Sequence, residues 1–224
     1  MADAFLNYPF TDWMVPADNR EGRLRGLFSL TVGRVGIPYG DTFVARCAAQ
    51  GRGREIVGAV VGIPASGVPD EVWASMAPAE EALLAHRAEA SAHADQAMRR
   101  LRPTEPHYTI ATIGVAGHHR RRGLAEALLE PVLAAADDQA LPAYLETSSA
   151  SNVRLYERVG FTVLDVVDLP DGGPTVWAMA RHSDESRSHG NWKRPKTTDG
   201  AFGTIAQLRR GATGTTPWSA LNER

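Results

Sequence analysis

Cysteine is nearly absent. Cys47 is the only one in 224 residues, so no internal disulfide can form, which fits a reducing compartment and an expected cytoplasmic location. Cys47 lies in an apolar, strand-like stretch, where a free thiol is more often a packed apolar group than a nucleophile. Long apolar runs are missing as well. No stretch reaches the length of a membrane span, and Met1–Tyr8 carries neither the basic segment nor the apolar run of a signal peptide. No membrane partner is therefore expected. Net charge is only −2, which gives no whole-chain basis for a nucleic-acid partner. Lysine is confined to Lys193 and Lys196, and every other basic residue is arginine; this is a bias of composition. Basic residues gather after His182 (Arg187, Lys193, Arg194, Lys196, Arg209, Arg210, Arg224), leaving 1–181 acidic. That excess attracts a cationic substrate weakly at long range.

What is present suffices for one core. Hydrophobic residues make up 43% of the chain, ordinary for a globular protein of this length. Leu24, Leu27, Phe28 and Leu30 give Glu21–Val35 an amphipathic helical pattern. Asp41–Ala48 and Glu55–Ile63 read as strands around the turn Gln50-Gly51-Arg52-Gly53. A short helix is expected near Asp70–Met76, and Ala79–Leu101, without Gly or Pro, reads as one long helix. His107–Val115 is a β-branched strand. Leu124, Leu128, Val132 and Leu133 then mark a helix that Pro131 should kink. Leu141–Thr147 is a strand, Asn152–Val159 a short helix, and Phe161–Leu169 and Thr175–Ala180 two strands joined by a Pro/Gly turn. This order predicts an α/β (α+β) fold, a mixed twisted sheet with helices on both faces. Residues 1–181 form the expected domain. The Ser/Gly/Thr-rich stretch 182–224 reads as a flexible tail.

The segment from Ile113 to Ala125 carries the strongest chemical signal. A strand ends at Ile113-Gly114-Val115, a polar loop follows, and a helix opens near Arg122–Gly123. A helix start offers main-chain N–H groups without intrahelical acceptors, and its dipole adds positive charge. Such a place binds phosphate. Gly123 and Ala125 let phosphate oxygens reach the main chain, and Arg120, Arg121 and Arg122 add forked donors. On these residues alone, Gly123 as a plain turn glycine and the arginines as a solvated run weigh equally. The pattern is neither Walker A nor the dinucleotide fingerprint. Adjacent His118 and His119 point apart and have no ligand at metal spacing, so no metal is expected.

Arg120-x-x-Gly123-x-Ala125 after a strand resembles the acetyl-CoA pyrophosphate loop of the GNAT acetyltransferase superfamily. Asn152-x-x-x-Tyr156-Glu157-x-x-Gly160-Phe161 resembles the superfamily's second signature, downstream and in the expected order. Within the superfamily, Leu101–Arg181 is most similar to the puromycin N-acetyltransferase group. The matching stretches are Arg102-Pro103-x-Glu105-Pro106, Ala111-Thr112-x-Gly114-Val115, Leu145-Glu146-Thr147-Ser148 and Tyr156-Glu157-Arg158-x-Gly160-Phe161-Thr162-Val163. Pro131 also matches. Before residue 100 the likeness rests on Ala4-Phe5-x-x-Tyr8-Pro9. The family has a strand and most of a helix ahead of that point, which this sequence does not show. The resemblance therefore implies a first strand missing and Asp41–Ala48 left as an exposed sheet edge, an aggregation liability.

The resemblance implies direct attack of an amine on acetyl-CoA, the cosubstrate. The main chain of Ile113, Gly114 and Val115 would pair with the pantetheine arm. A backbone N–H near Ile113 or Gly114 would meet the developing oxyanion. Arg120, Arg121, Arg122, Gly123, Leu124 and Ala125 would hold the diphosphate. Tyr156 would protonate the departing thiolate; read from spacing alone, it packs beside Leu155 and Val159. Asn152 either bonds the pantetheine or caps its helix. Glu146 is the expected general base, with pairing to an arginine as the alternative. Tyr108 lines either the acceptor pocket or the core. The expected acceptor is a small-molecule amine, such as an aminonucleoside or antibiotic-like compound. An inactive CoA-binding module and a peptide or protein N-acetyltransferase are the competing readings, and oligomeric state is not legible.

Overall fold

Seven strands form one sheet in the order β5-β6-β4-β3-β2-β1-β7. They are β1 (Asp41–Ala48), β2 (Arg54–Ile63), β3 (Tyr108–Val115), β4 (Ala143–Thr147), β5 (Thr162–Asp168), β6 (Thr175–Arg181) and β7 (Thr204–Leu208). The computed structural model describes residues 1–48, 54–182 and 204–208. The expected turn at Gln50–Gly53 thus lies outside the described residues. Most neighbours pair antiparallel; β3 and β4 pair parallel.

Helix α6 (Leu124–Asp138) covers one face, with Leu124, Leu128, Leu129, Val132 and Leu133 buried against Val60, Ile110 and Val115. It runs on through Pro131. Helix α7 (Ala150–Arg158) joins the same core through Tyr156. Helices α1 (Pro9–Met14), α2 (Arg20–Leu30), α4 (Asp70–Leu84) and α5 (Ala88–Arg99) build two smaller clusters. Between α2 and β1 the chain passes through a π-helical stretch, Thr31–Gly36, and the short α3 (Ile37–Tyr39).

The long helix expected over Ala79–Leu101 is two helices, and the first begins at Asp70. They part at Ala85–Arg87, where Ala85 has φ +49°. Tertiary demand overrides helix propensity here. Leu84 must join Val15 and Leu24, while Ala94 and Met98 must join Leu169 and Val176, and one straight helix cannot meet both. The freed end is capped: Arg23 Nη1 donates to the Leu83 carbonyl at 2.8 Å.

The sheet edge differs from the expectation. Residues 204–208, placed in the tail, form β7 and pair with β1, so the edge of Asp41–Ala48 is covered. Residues 183–203 and 209–224 lie outside the described residues. Tyr108 belongs to the core, fully buried and donating its hydroxyl to Asp41 Oδ2 at 2.8 Å.

Candidate active site

The site begins with a bulge. Val61 pairs with Thr112 and Gly62 with Ile110, which leaves Ala111 as an extra residue in β3. An extra residue flips the alternation of side chains. That is why Tyr108 and Ile110, then Ile113 and Val115, all reach the same core. Beyond the bulge β3 parts from β4, whose ladder holds only the pairs Tyr108–Ala143 and Thr109–Tyr144. A gap therefore opens between Ile113–Val115 and the end of β4. The Ala116 N–H donates to Val57 O at 2.8 Å. By the alternation of an antiparallel ladder, the Gly114 N–H also faces β2, and the Ile113 and Val115 N–H groups face the gap.

Two cavities meet across this gap. One, of about 460 Å³, is lined by Ile113, Gly114, Val115, Arg120, Arg121, Gly123, Leu124 and Ala125, all expected at the cofactor. Arg122 is exposed and does not line it. The other, of about 600 Å³, is walled largely by aromatic and aliphatic groups such as Phe10, Phe28, Trp73 and Met98. Five residues line both: Phe5, Tyr8, Ile113, Asn152 and Tyr156.

The loop has the form its sequence suggested. Gly123 sits at φ +76° as the N-cap of α6, and a Cβ placed there would meet only open space. The first intrahelical bond runs from Ala127 N–H to Gly123 O, so the N–H groups of Leu124, Ala125 and Glu126 point outward without an acceptor in the helix. Among the described residues no other group seals them. A diphosphate fits such a cradle: bare amides, no Cβ, and the dipole's positive end. Arg120 takes a different part. Its Nε donates to Val115 O at 3.2 Å and its Nη2 to Ala4 O at 2.7 Å, while Asp3 Oδ2 accepts the Gly117 N–H at 3.1 Å. It straps the N-terminal segment to the cofactor loop.

Tyr156 is buried, and its hydroxyl has no hydrogen-bond partner among the described residues. Burial, and secondarily Tyr8, pushes its pKa above the usual tyrosine value, so the phenol keeps its proton. Asn152 does not cap α7. Ser149 holds that position, and Asn152 Nδ2 reaches Thr147 Oγ1 at 3.4 Å instead. Glu146 lines the larger cavity. Its Oε1 accepts from Arg102 Nε at 2.9 Å and from the Tyr144 hydroxyl at 3.0 Å, so the arginine pairing weighed in the sequence is realised. Arg102 also meets Asp95 at 3.2 Å. Burial, then Glu146, pushes the Tyr144 phenol upward in pKa. The rings of His118 and His119 do not point apart as expected but meet at 4.4 Å between centroids, tilted by 54°, and no metal-binding group of side chains occurs among the described residues.

Tyr8 was missed as a site residue. The sequence motif holding it served only to align the N-terminal segment. Its hydroxyl accepts the Ser148 N–H at 2.7 Å and shares a 3.1 Å hydrogen bond with Thr147 Oγ1, and Ser148 Oγ accepts the Phe10 N–H. These contacts satisfy polar groups that the parting of β4 from β3 leaves without a ladder. No local pattern links positions 8 and 148.

The splay at the bulge, the bare-amide loop and the second cavity that shares Tyr156 with the first form one cleft. A family model described as the acetyltransferase (GNAT) family matches residues 41–161. The chain belongs to that family of acetyl-CoA-dependent acetyltransferases. Among solved structures it is similar to a "histone acetyltransferase HPA2 and related acetyltransferase" from Corynebacterium glutamicum, at 27% identity and a TM-score of 0.60, covering 81% of this chain and 86% of that one. A putative streptothricin acetyltransferase from Bacillus anthracis, in complex with acetyl coenzyme A, matches at 13% identity and a TM-score of 0.42, covering 67% and 66%. A polyamine N-acetyltransferase of Drosophila melanogaster matches at 21% and 0.41, covering 80% and 91%. No helix among the described residues is long and apolar enough to cross a membrane.

Proposed function

We propose that the protein acetylates the primary amine of a small molecule by direct attack on acetyl-CoA, in the manner of the puromycin N-acetyltransferase group. The meeting of the two cavities at Ile113, Asn152 and Tyr156 carries this reading. Acetyl-CoA supplies an activated acyl group whose carbonyl would sit at that junction. Main-chain amides around Gly123 hold the diphosphate, with Arg121 beside them. The Ile113 N–H faces the developing oxyanion, and Tyr156 gives its proton to the leaving sulfur. Glu146 takes a proton from the substrate ammonium so that the free amine attacks, and the second proton lost from that nitrogen as the amide forms restores the Tyr156 phenol. Pairing with Arg102 holds the Glu146 carboxylate in place on the wall of the acceptor cavity.

The acceptor cavity supports a compact amine with an apolar body. At about 600 Å³ it suits a drug-sized molecule. Among the described residues its charged lining groups are Glu80, Arg102 and Glu146, and the guanidinium is already taken. A second reading, acetylation of peptide or protein amines, draws on the likeness to the histone acetyltransferase-related protein of Corynebacterium glutamicum.

Release of CoA thiol across a panel of primary amines with aromatic bodies, puromycin included, polyamines and peptide N-termini tests the proposal. Turnover confined to apolar-bodied small amines is the expected result. Turnover confined to peptides would replace it with the second reading. Binding of acetyl-CoA without transfer to any amine would leave a CoA-binding module.

A further inference from the structure

Helix α4 turns one face to the acceptor cavity. Trp73, Met76 and Glu80 recur at positions i, i+3 and i+7, which sets them along one side of the helix. Met76 is buried, whereas Trp73 and Glu80 stay exposed and both line the cavity. Neither reaches the cofactor side, so they belong to the acceptor alone. Glu80 is a carboxylate that the fold does not reward. It has no hydrogen bond and no ion pair among the described residues. The charged group that bears on it is Asp95, a like charge, whose oxygens already meet Arg99 at 2.8 Å and Arg102 at 3.2 Å. Arg102 in turn closes on Glu146 at 2.9 Å. Glu80 also stands toward the C-terminal end of α4, the negative end of its dipole. Partial burial, then Asp95, holds its pKa above the usual carboxylate value.

We propose that Glu80 sets acceptor specificity by pairing with a second cationic group, carried by an amine whose apolar body lies along Trp73. This rests on the reading of that cavity as the amine-acceptor site. The reacting amine meets Tyr156 and Glu146, the body meets the aromatic and aliphatic walls, and the second cation meets Glu80. Among the charged lining groups, Glu146 is matched by Arg102, which leaves the Glu80 carboxylate as the unmatched charge. An acceptor with a single ammonium would crowd that carboxylate with apolar atoms and leave it unpaired. An anionic tail would meet repulsion as well. A dication satisfies both ends, and the difference between these cases is the specificity. Trp73 suits the same guest, since its exposed ring offers an apolar face to the body and a favourable one to a nearby cation.

Paired probes test it on the full chain. Each pair is a benzylamine with a para dimethylaminoalkyl group, on a methyl, ethyl or propyl spacer, and the isosteric compound in which CH replaces the basic nitrogen. The tertiary amine forms no amide, so it adds charge without adding a reacting amine. Calorimetry on protein saturated with CoA is expected to show, for at least one spacer, at least about fivefold tighter binding of the charged member, the scale of a partly screened ion pair. The gap should narrow as salt rises. Glu80→Gln should close it, and Glu80→Lys should invert it so that the uncharged member binds tighter. A ratio taken within one variant is insensitive to a general loss of folded protein. Release of CoA should show the same preference, mainly in KM. Equal affinities at every spacer in the wild type, or a preference that survives Glu80→Gln, overturn the assignment. A preference lost in Glu80→Gln with no CoA release from any amine keeps the cation subsite and removes the transferase reading. Release of CoA without any charge preference keeps that reading and removes the subsite.

Discussion

At the scale of single residues, chemistry concentrates on two phenols. Tyr156 lies buried with no hydrogen-bond partner for its hydroxyl among the described residues, and burial keeps it protonated. Tyr156→Phe is expected to lower kcat at least about tenfold, the range of a lost general acid, while acetyl-CoA binding by calorimetry is unchanged. Because the shift is upward, any alkaline fall in kcat from this proton should lie above a pH of about 10. Tyr8 acts by position. Tyr8→Phe strands the Ser148 N–H, at a cost of about 1–3 kcal/mol for an unsatisfied buried group, while the Thr147 hydroxyl keeps the Asn152 and Ser149 donors. Lower thermal stability together with a reduced kcat is the expected outcome, and an unchanged melting temperature would remove the bracing role. Glu146→Gln separates base from brace: a base loses kcat with the fold intact, whereas a brace for Arg102 and Tyr144 mainly loses stability.

Among elements, the loop before α6 matters most. Gly123 combines φ +76° with open space around its Cα, so Gly123→Trp strains the backbone and shields the amides at once. Acetyl-CoA affinity should fall at least about tenfold, the equivalent of roughly 1.4 kcal/mol; wild-type affinity would remove the phosphate cradle. Arg120→Ala should behave unlike a lost phosphate ligand. It frees the segment carrying Phe5 and Tyr8, which wall both cavities, so KM is expected to rise for amine as well as acetyl-CoA in steady-state kinetics. A rise for acetyl-CoA alone would return Arg120 to direct phosphate contact.

For the whole molecule, three tyrosines set an alkaline limit. Tyr108, Tyr144 and Tyr156 all have pKa values raised, chiefly by burial. A group with a raised folded pKa binds its proton more tightly in the native state. Its contribution is complete below the unfolded value of about 10 and is lost as pH climbs beyond it. The melting temperature should therefore fall steeply above that pH, and Tyr108→Phe should flatten the fall.

Local pattern determined the order of strands and helices from Tyr108 to Ala180, the helix start at Gly123 and the short helix that carries Tyr156. Each depends on residues within one or two turns of each other, so periodicity and short motifs record it. The break at Ala85, the union of Tyr8 with Ser148, the bond between Arg102 and Glu146, and the cover that β7 gives β1 were decided by tertiary structure. These join positions far apart in sequence, where side-chain hydrogen bonds and shared burial select partners and no spacing rule operates. Glycine geometry and helix ends can be read from a few neighbours; which distant group fills a vacant hydrogen bond depends on how the layers pack.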